Sequence, residues 1–112
     1  MDCIFCKIAA GEIPSNKAYE DDQVLAFYDL DPQAPVHILI IPKDHIGSAA
    51  EITAENSRIV AHIFEVASKL AAELKLDQGW RVVTNVGKDG GQSVLHMHFH
   101  LLGGRSMAWP PG

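Results

Sequence analysis

The segment HMHFHLL, which begins at His96, alternates imidazole and apolar side chains, and this alternation constrains the fold more than any other feature. Successive side chains of a β-strand point to opposite faces, so His96, His98 and His100 share one face while Met97 and Phe99 share the other. At about 3.3 Å per residue, the imidazoles form a row about 13 Å long. The sequence therefore predicts a strand with one apolar, buried face and one face of histidines.

Patterns elsewhere in the chain predict the other strands and a short helix. KAYEDDQVLAFYDL predicts two short strands joined at Asp21 and Asp22, and GWRVVTNVG predicts a further strand. VHILIIP is β-branched and almost entirely apolar, so it predicts a central strand buried on both faces. CIFCKIAAGEIP has apolar residues at helical spacing before Gly11 and Pro14, which predicts a short N-terminal helix.

One long helix is predicted after Thr53, a residue type that commonly caps a helix N-terminus. Its apolar face consists of residues at steps of three or four: Ile59, Ile63, Val66, Leu70 and Leu74. The opposite face is charged and carries His62, for which we expect a solvated position. We therefore expect a single α+β domain over residues 1–112, with about five strands, one long helix over one face of the sheet and a short N-terminal helix.

Composition excludes several classes of function. With 47% hydrophobic and 21% charged residues, the chain is typical of a soluble globular domain. A net charge of −5 without any Lys/Arg run argues against nucleic acid as a partner, because binding to its backbone needs a basic face. The longest apolar run, residues 36–41, is too short to span a membrane, and Met1-Asp2-Cys3 begins no signal peptide. We expect a cytoplasmic protein.

The row of histidines has three possible explanations. A solvated sheet face would be served better by valine or threonine. A single tetrahedral zinc ion, with ligand distances near 2 Å, cannot reach all three imidazoles, so at most two of them could be its ligands. Chemistry at phosphorus is favoured, because neutral imidazole is a nucleophile near pH 7. The loop GKDGGQS supports it, since Gly91 allows close approach of an anion and Gln92 and Ser93 add polar donors.

The only two cysteines form the motif CIFC near the N-terminus. Two cysteines do not make a disulfide framework, but the spacing of Cys3 and Cys6 is that of half a tetrahedral zinc site. A thioredoxin-like redox pair is the weaker alternative, because no βαβ pattern surrounds the motif. Two reduced thiols without a metal remain the other possibility.

The segment GGQSVLHMHFHLLGG resembles the histidine-triad (HIT) nucleotide-binding proteins, whose motif is His-φ-His-φ-His-φ-φ with φ apolar. DLDPQAPVHILIIPKDHI and the terminal WPPG are similar to the Hint branch of that family. The resemblance extends from Ile4 to the C-terminus. It implies a homodimer in which two five-stranded antiparallel sheets join into one. It also implies hydrolysis of purine nucleoside phosphoramidates, related to AMP and GMP, through a nucleotidyl-histidine and without a cofactor in the reaction.

Position by position, the resemblance implies catalytic roles for four residues. His98 matches the nucleophile, and His100 matches the residue that contacts the phosphate. Ser93 matches the hydroxyl near the leaving group, and His37 matches a histidine buried behind the site. Trp109 matches a tail residue that reaches the site of the partner subunit.

The resemblance also implies a nucleotide-binding set. Asp29 matches the carboxylate that binds the ribose hydroxyls, and Asn85 matches a contact to ribose and phosphate. The apolar members would form a slot for the base, although by themselves they are typical of a protein core. The complete set is Ile4, Phe5, Ile8, Phe27, Asp29, Leu30, Leu39, Asn85, Gly91, Gln92, Ser93, Val94, His98 and His100.

Some HIT proteins with the same cysteine pair are similar in completing a Cys2His2 zinc site with two histidines. These match His45, in PKDHI, and His96, the first of the three alternating histidines. The implied zinc is structural and dispensable to the reaction. Two other functions stay open: a nucleotide-binding scaffold with little catalysis, and a dinucleoside polyphosphate hydrolase of another HIT branch.

Overall fold

A computed structural model describes residues 3–112 of the chain. Met1 and Asp2, on which the signal-peptide expectation partly rests, lie outside the described residues. In chain order the elements are α1 (Ile4–Ala9), β1 (Lys17–Glu20), β2 (Val24–Tyr28), β3 (Val36–Pro42), a 3-10 turn (Ala49–Glu51), α2 (Arg58–Glu73), β4 (Trp80–Thr84) and β5 (Phe99–Gly103). Within residues 3–112, neither helix has the length and apolar character needed to cross a membrane.

The strands form one antiparallel sheet in the order β1-β2-β3-β5-β4, which confirms the expected five-stranded α+β fold. VHILIIP is the central strand, as its apolar composition predicts. The chain leaves the sheet after β3, returns through α2 as the edge strand β4, and then inserts β5 between β3 and β4. His100 on β5 therefore lies opposite Leu39 on one side and Val83 on the other.

Alternation along the strands divides the interior into two cores. Ile38 and Ile40 of β3 pack with α2, whereas Leu39 and Ile41 face α1. In the segment 96–101, Met97, Phe99 and Leu101 are buried in the core beneath α2. The histidines between them therefore lie on the α1 face, as the period of two predicts.

The strand itself is shorter than predicted, because β5 begins only at Phe99. The residues just before Phe99 make their backbone hydrogen bonds outside the sheet. The Met97 amide donates to the Ile46 carbonyl at 2.6 Å, and the Thr84 hydroxyl donates to the His98 carbonyl at 2.9 Å. The alternation of faces holds in this segment although its hydrogen bonds go to Ile46, in the loop after β3, and to the side chain of Thr84 on β4.

Two further predictions are wrong in detail. Thr53 does not cap α2, which begins at Arg58; its hydroxyl instead accepts the Glu55 amide at 3.3 Å within a preceding turn. His62 is not simply solvated. Its Nε2 lies 2.6 Å from an Asp21 carboxylate oxygen, and its Nδ1 lies 3.2 Å from Glu65, so it ties α2 to the β1–β2 turn.

Candidate functional site

A cavity of about 320 Å³ opens between α1 and the histidine face of the sheet. All the predicted nucleotide-binding residues line it except Asn85, Gly91 and Gln92. Its walls also include five residues that were not predicted, because no periodicity or motif marks them: Ile13, Pro14, Ser15, Asn16 and Tyr28. The volume is at the small end of the range for small-molecule sites.

One end of the cavity is apolar. Helix α1 holds Phe5 and Ile8 against the sheet, where they pack with Phe27 and Leu39. The Phe5 and Phe27 rings meet edge to face, with centroids 5.7 Å apart. This end is an apolar slot with aromatic and aliphatic walls, suited to burying a heteroaromatic ring. Leu30, which is 98% exposed, stands at its rim.

The other end of the cavity is polar and contains His98, which is 3% exposed. Its Nδ1 lies 2.7 Å from the backbone carbonyl oxygen of His96. Since a carbonyl can only accept, we assign the proton of neutral His98 to Nδ1, which leaves an unprotonated Nε2. The Phe5 ring packs edge-on against the imidazole at 5.1 Å and limits its rotation. The result is a held imidazole with a free lone pair, which is the form of a nucleophile.

His100 is oriented from behind by His37, which is buried. The Gln33 backbone amide donates to His37 Nδ1 at 3.0 Å, so the proton of neutral His37 lies on Nε2. That nitrogen is 2.8 Å from His100 Nδ1 and 3.4 Å from an oxygen of Asp29. The shorter contact makes His100 Nδ1 the acceptor, and its own proton is then on Nε2. One backbone amide thus gives His100 an N–H donor.

Both of these histidines are neutral near pH 7. The pKa of His100 is lowered to about 4, mainly by burial and also by the neighbouring His98 and His37, while Asp29 opposes the shift. Burial also lowers the pKa of His37, against the attraction of Asp29 and Asp31. The relay therefore works with neutral imidazoles and donates a hydrogen bond without carrying a charge.

A second cluster lies beside the cavity and joins Cys3, Cys6, His45 and His96. His96 Nδ1 is 3.3 Å from the Cys3 sulfur and 3.5 Å from the Cys6 sulfur. His45 Nδ1 is 3.3 Å from the Cys6 sulfur, and all four ligand atoms lie within 4.8 Å of one another. In a tetrahedral zinc site, bond lengths near 2.3 Å to sulfur and 2.0–2.1 Å to nitrogen put each sulfur about 3.5 Å from each nitrogen. The observed separations fit that geometry.

The surroundings of the cluster also suit a metal. His96 is fully buried, and its Nε2 donates to the Pro42 carbonyl at 2.8 Å, which leaves the Nδ1 lone pair facing the sulfurs. Burial and the adjacent Cys3 raise the pKa of the Cys6 thiol to about 11, so a cation is needed to hold that sulfur as thiolate near neutral pH. This donor set of two sulfurs and two imidazoles suits zinc.

Asp29, His37 and His100 are also close enough together to be considered as metal ligands. The Gln33 amide argues against that use, because it occupies His37 Nδ1 and leaves a proton on the nitrogen that faces the group. The two nitrogens of the pair, 2.8 Å apart, make a normal hydrogen bond. This cluster is therefore a hydrogen-bonded relay.

The three predicted residues outside the cavity have other positions. The Gln92 side chain donates to the carbonyls of Gly47 and Val94 and accepts the Gly87 amide, so it shapes the loop that carries Ser93. Gly91 has a φ of +78°, which a side chain would strain. Asn85 follows β4 and is half-buried. Gly91 and Gln92 therefore serve the shape of the loop in this structure.

The tail predicted to reach a partner is exposed. Trp109 is 82% exposed, and the guanidinium of Arg81 donates to the neighbouring Ala108 carbonyl at 3.1 Å.

The chain is similar in sequence and in fold to several known proteins. The HIT domain family model matches residues 10–107. A 14 kDa zinc-binding protein of Brassica juncea is 50% identical, with 99% of this chain and 100% of that protein covered. A HIT family hydrolase from Legionella pneumophila Philadelphia 1 superimposes with a TM-score of 0.97 at 52% identity, covering 99% and 100% of the two chains. A histidine triad nucleotide-binding protein from Candida albicans has a TM-score of 0.82 at 38% identity, covering 99% and 85%.

Proposed function

The chain belongs to the HIT family, and we propose that it is a hydrolase of purine nucleoside 5′-phosphoramidates, of the Hint branch. The observation that carries the proposal is the geometry of His98. Its Nδ1 proton is held by the His96 carbonyl, and its free nitrogen belongs to the polar end of an apolar slot. The relatives support the general reaction and ligand, since one is a HIT family hydrolase and another a nucleotide-binding protein.

Substrate binding divides along the cavity. The purine enters the apolar slot, where its ring packs against Phe5, Phe27 and Leu39. Asp29 accepts hydrogen bonds from the ribose hydroxyls at the rim; one of its oxygens is already bonded to the Asp31 amide, which orients the carboxylate. The phosphoryl group then lies between His98 and His100, whose N–H donates to a phosphoryl oxygen.

The reaction has two displacements at phosphorus. In the first, the Nε2 lone pair of His98 bonds to phosphorus, the P–N bond breaks, and the amine leaves with a proton passed from solvent through the Ser93 hydroxyl. In the second, water attacks the nucleotidyl phosphorus, the bond from phosphorus to His98 Nε2 breaks, and the proton of the water passes to solvent. This step frees neutral His98 and releases the nucleoside monophosphate. Both steps develop charge on the phosphoryl oxygens, which the His100 donor stabilises.

A trapping experiment tests this assignment. Acid quenching of the reaction with an adenosine phosphoramidate, followed by proteolysis and mass spectrometry, should find a nucleotidyl group on the peptide that contains His98. Finding the group on another residue, or turnover without any adduct under single-turnover conditions, would contradict the covalent route. A panel of adenosine and guanosine phosphoramidates with varied amines would then define the leaving group.

We also propose a structural zinc ion held by Cys3, Cys6, His45 and His96. The support is the tetrahedral spacing of the donor atoms and the Brassica juncea relative, which is named as a zinc-binding protein. When bound, zinc would cross-link the start of α1 to the loop after β3 and to the segment before β5. It would take no part in the displacement at phosphorus. Because zinc ligation needs reduced cysteines, we also propose that the protein works in the reducing environment of the cytoplasm.

We further propose a homodimer whose sheet continues across the two subunits. Strand β4 is at an edge of the sheet among the described residues, and its Trp80 is 41% exposed. An open apolar edge is an aggregation hazard, which pairing with a second β4 across a two-fold axis would remove. Sedimentation equilibrium at micromolar concentration should give twice the 12.2 kDa mass of the chain; a 12.2 kDa species would contradict the dimer.

A further inference from the structure

The first turn of α1 contributes side chains to two sites at once. Cys3, which is its N-cap, and Cys6 belong to the metal cluster that they form with His45 and His96. Phe5 lies between the two cysteines in the sequence, is 7% exposed and forms part of the wall of the apolar slot. Because one turn of helix carries all three residues, a shift of that turn moves both sites.

The Phe5 ring contacts a histidine of each site. Its centroid lies 6.0 Å from that of the His96 ring and 5.1 Å from that of the His98 ring, edge to face in both cases. A third edge-to-face contact joins it to Phe27 at 5.7 Å. Pairs of aromatic rings depend on their mutual orientation. A displacement of the Phe5 ring therefore affects a residue of the metal cluster, the proposed nucleophile and a wall of the slot together.

Helix α1 is too short to hold this arrangement by itself. It has six residues, and isolated helices shorter than about 12–15 residues are marginal in water. Its position depends on the packing of Phe5 and Ile8 against the sheet and on the contacts of its two cysteines. Without a metal, those contacts are the weak hydrogen bonds between thiols and imidazoles. Bonds from the same sulfurs to a metal ion would hold the turn more firmly.

We propose that Phe5 couples the two sites, so that a metal ion in the cluster raises the affinity of the slot for the purine base. This inference rests on the proposed function, because it assumes a purine nucleotide in the slot and zinc in the cluster. A ligand that needs an ordered α1 binds more weakly when its binding must first order that helix. Coupling is reciprocal, so the nucleotide raises the affinity for zinc by the same factor. The amount of nucleotide bound then depends on the availability of zinc.

Calorimetry on the two metal states of the wild type tests the proposal. AMP and ribose 5-phosphate would be titrated into zinc-loaded protein and into protein that has been stripped with a chelator and kept reduced. Removal of zinc should weaken AMP binding about 5- to 20-fold, within the usual range of coupling between two sites. The affinity for ribose 5-phosphate, which has no base to place in the slot, should change by less than about twofold.

The reciprocal measurement uses zinc as the ligand. Competition with a zinc-binding dye would give the zinc affinity of the reduced protein alone, with saturating AMP and with saturating ribose 5-phosphate. AMP should tighten zinc binding by the same factor of about 5 to 20, and ribose 5-phosphate should not. Ribose 5-phosphate has the same phosphate group as AMP, so it also controls for binding of free zinc by the phosphate.

Two matched substitutions test Phe5 as the link. Phe5→Leu keeps the four metal ligands and an apolar side chain in the slot but removes the ring contacts to His96 and His98. It should still bind zinc, and its AMP affinity should differ by less than about threefold between the two metal states. Phe64→Leu makes the same change on α2, where the ring packs against Phe99 in the other core. This variant should retain the wild-type coupling.

Three results would overturn the coupling while the nucleotide site stands. These are equal AMP affinity in the two metal states of the wild type, an equal loss of AMP and ribose 5-phosphate on removal of zinc, and full coupling in Phe5→Leu. The second result would assign the effect of the metal to the whole fold.

Failure of the underlying proposals gives different results. If the zinc-loaded wild type binds no purine nucleotide, the proposed function is wrong and the coupling falls with it. If the wild type binds AMP but no zinc, the metal site is wrong, the coupling falls and the nucleotide site stands.

Discussion

His96 and His37 are both buried imidazoles held by one backbone group, yet they offer opposite chemistry to their neighbours. The Pro42 carbonyl accepts a hydrogen bond from His96 Nε2, so the Nδ1 lone pair of His96 faces Cys3 and Cys6. The Gln33 amide donates a hydrogen bond to His37 Nδ1, so the Nε2–H of His37 faces His100. A carbonyl partner makes a metal ligand and an amide partner makes a hydrogen-bond donor, although the side chain is the same.

His98 and His62 extend this comparison. The carbonyl of His96 accepts a hydrogen bond from His98 Nδ1, so the lone pair of His98 is on Nε2. This lone pair faces the cavity, whereas that of His96 faces the two cysteine sulfurs. His62 has carboxylates at both nitrogens, from Asp21 and Glu65, and these raise its pKa and favour the charged imidazolium. Four environments thus suit one residue type to be a metal ligand, a hydrogen-bond donor, the proposed nucleophile and a cation.

The largest expected effect is at the lone pair of His98. His98→Ala should lower kcat/KM for an adenosine phosphoramidate by at least about 10³-fold, because no other group in the cavity replaces the nucleophile. AMP affinity should stay within a few-fold, since binding is distributed over the slot and Asp29. Steady-state kinetics and calorimetry measure both quantities. A variant with more than a tenth of wild-type turnover would rule out the nucleophilic role.

Zinc content distinguishes His96 from His37. Protein purified without chelator should contain about one zinc per chain by atomic spectroscopy, and Cys3→Ser with Cys6→Ser should abolish it. The double variant should melt roughly 10 °C lower, because α1 loses its cross-link, and should retain its kcat.

His96→Ala should also lose zinc, whereas His37→Ala is the matched control that keeps it. Zinc lost from both single variants would mean that the relay and the metal cluster are one site. Zinc-free wild type whose melting temperature is unchanged by chelator would leave Cys3 and Cys6 as two reduced thiols.

Removal of the His37 donor should have an intermediate effect. In His37→Ala the His100 Nδ1 loses its partner, so His100 no longer presents a fixed N–H to the phosphoryl group. We expect kcat to fall about 10- to 100-fold, in the range of other groups that orient a reacting residue. His37→Gln, which can still donate through its amide, should recover part of the loss. Equal loss in both variants would indicate that His37 acts only by filling space.

The smallest effect concerns His62, and its sign depends on pH. Because its pKa is raised above the ordinary 6.5 in the folded state, the protonated form stabilises the fold below pH 6.5, and this contribution disappears as pH rises through the folded value. His62→Gln should therefore lower the free energy of unfolding by about 0.5–1 kcal/mol at pH 6 and by less at pH 9. Glu65→Gln, which removes one partner, should show a weaker pH dependence in the same urea titrations. A cost that grows with pH would contradict the charged form.

Several features followed from the sequence because they depend on local pattern. The period of two places Met97, Phe99 and Leu101 in the α2 core and the histidines on the other face. The composition of VHILIIP places it at the centre of the sheet. The HIT motif and the cysteine spacing indicated which residues gather around the cavity and the metal cluster, and the structure brings most of them together.

Other features depend on contacts between distant parts of the chain. The start of β5 depends on the bond from Met97 to Ile46, and the role of His62 depends on Asp21, 41 residues away. Ile13, Pro14 and Tyr28 belong to no motif, and only the folded chain shows that they line the cavity.

By itself, then, the sequence determined that three histidines share one face, because strand geometry assigns faces by counting residues. That Cys3 and Cys6 lie beside this face was implied only by the resemblance to HIT proteins. The tertiary structure decided what each imidazole presents. His96 meets the Pro42 carbonyl, 54 residues away, and His37 meets His100, 63 residues away. Whether an imidazole offers a lone pair or a proton depends on the group within about 3 Å of its other nitrogen, and only the folded chain brings those groups together.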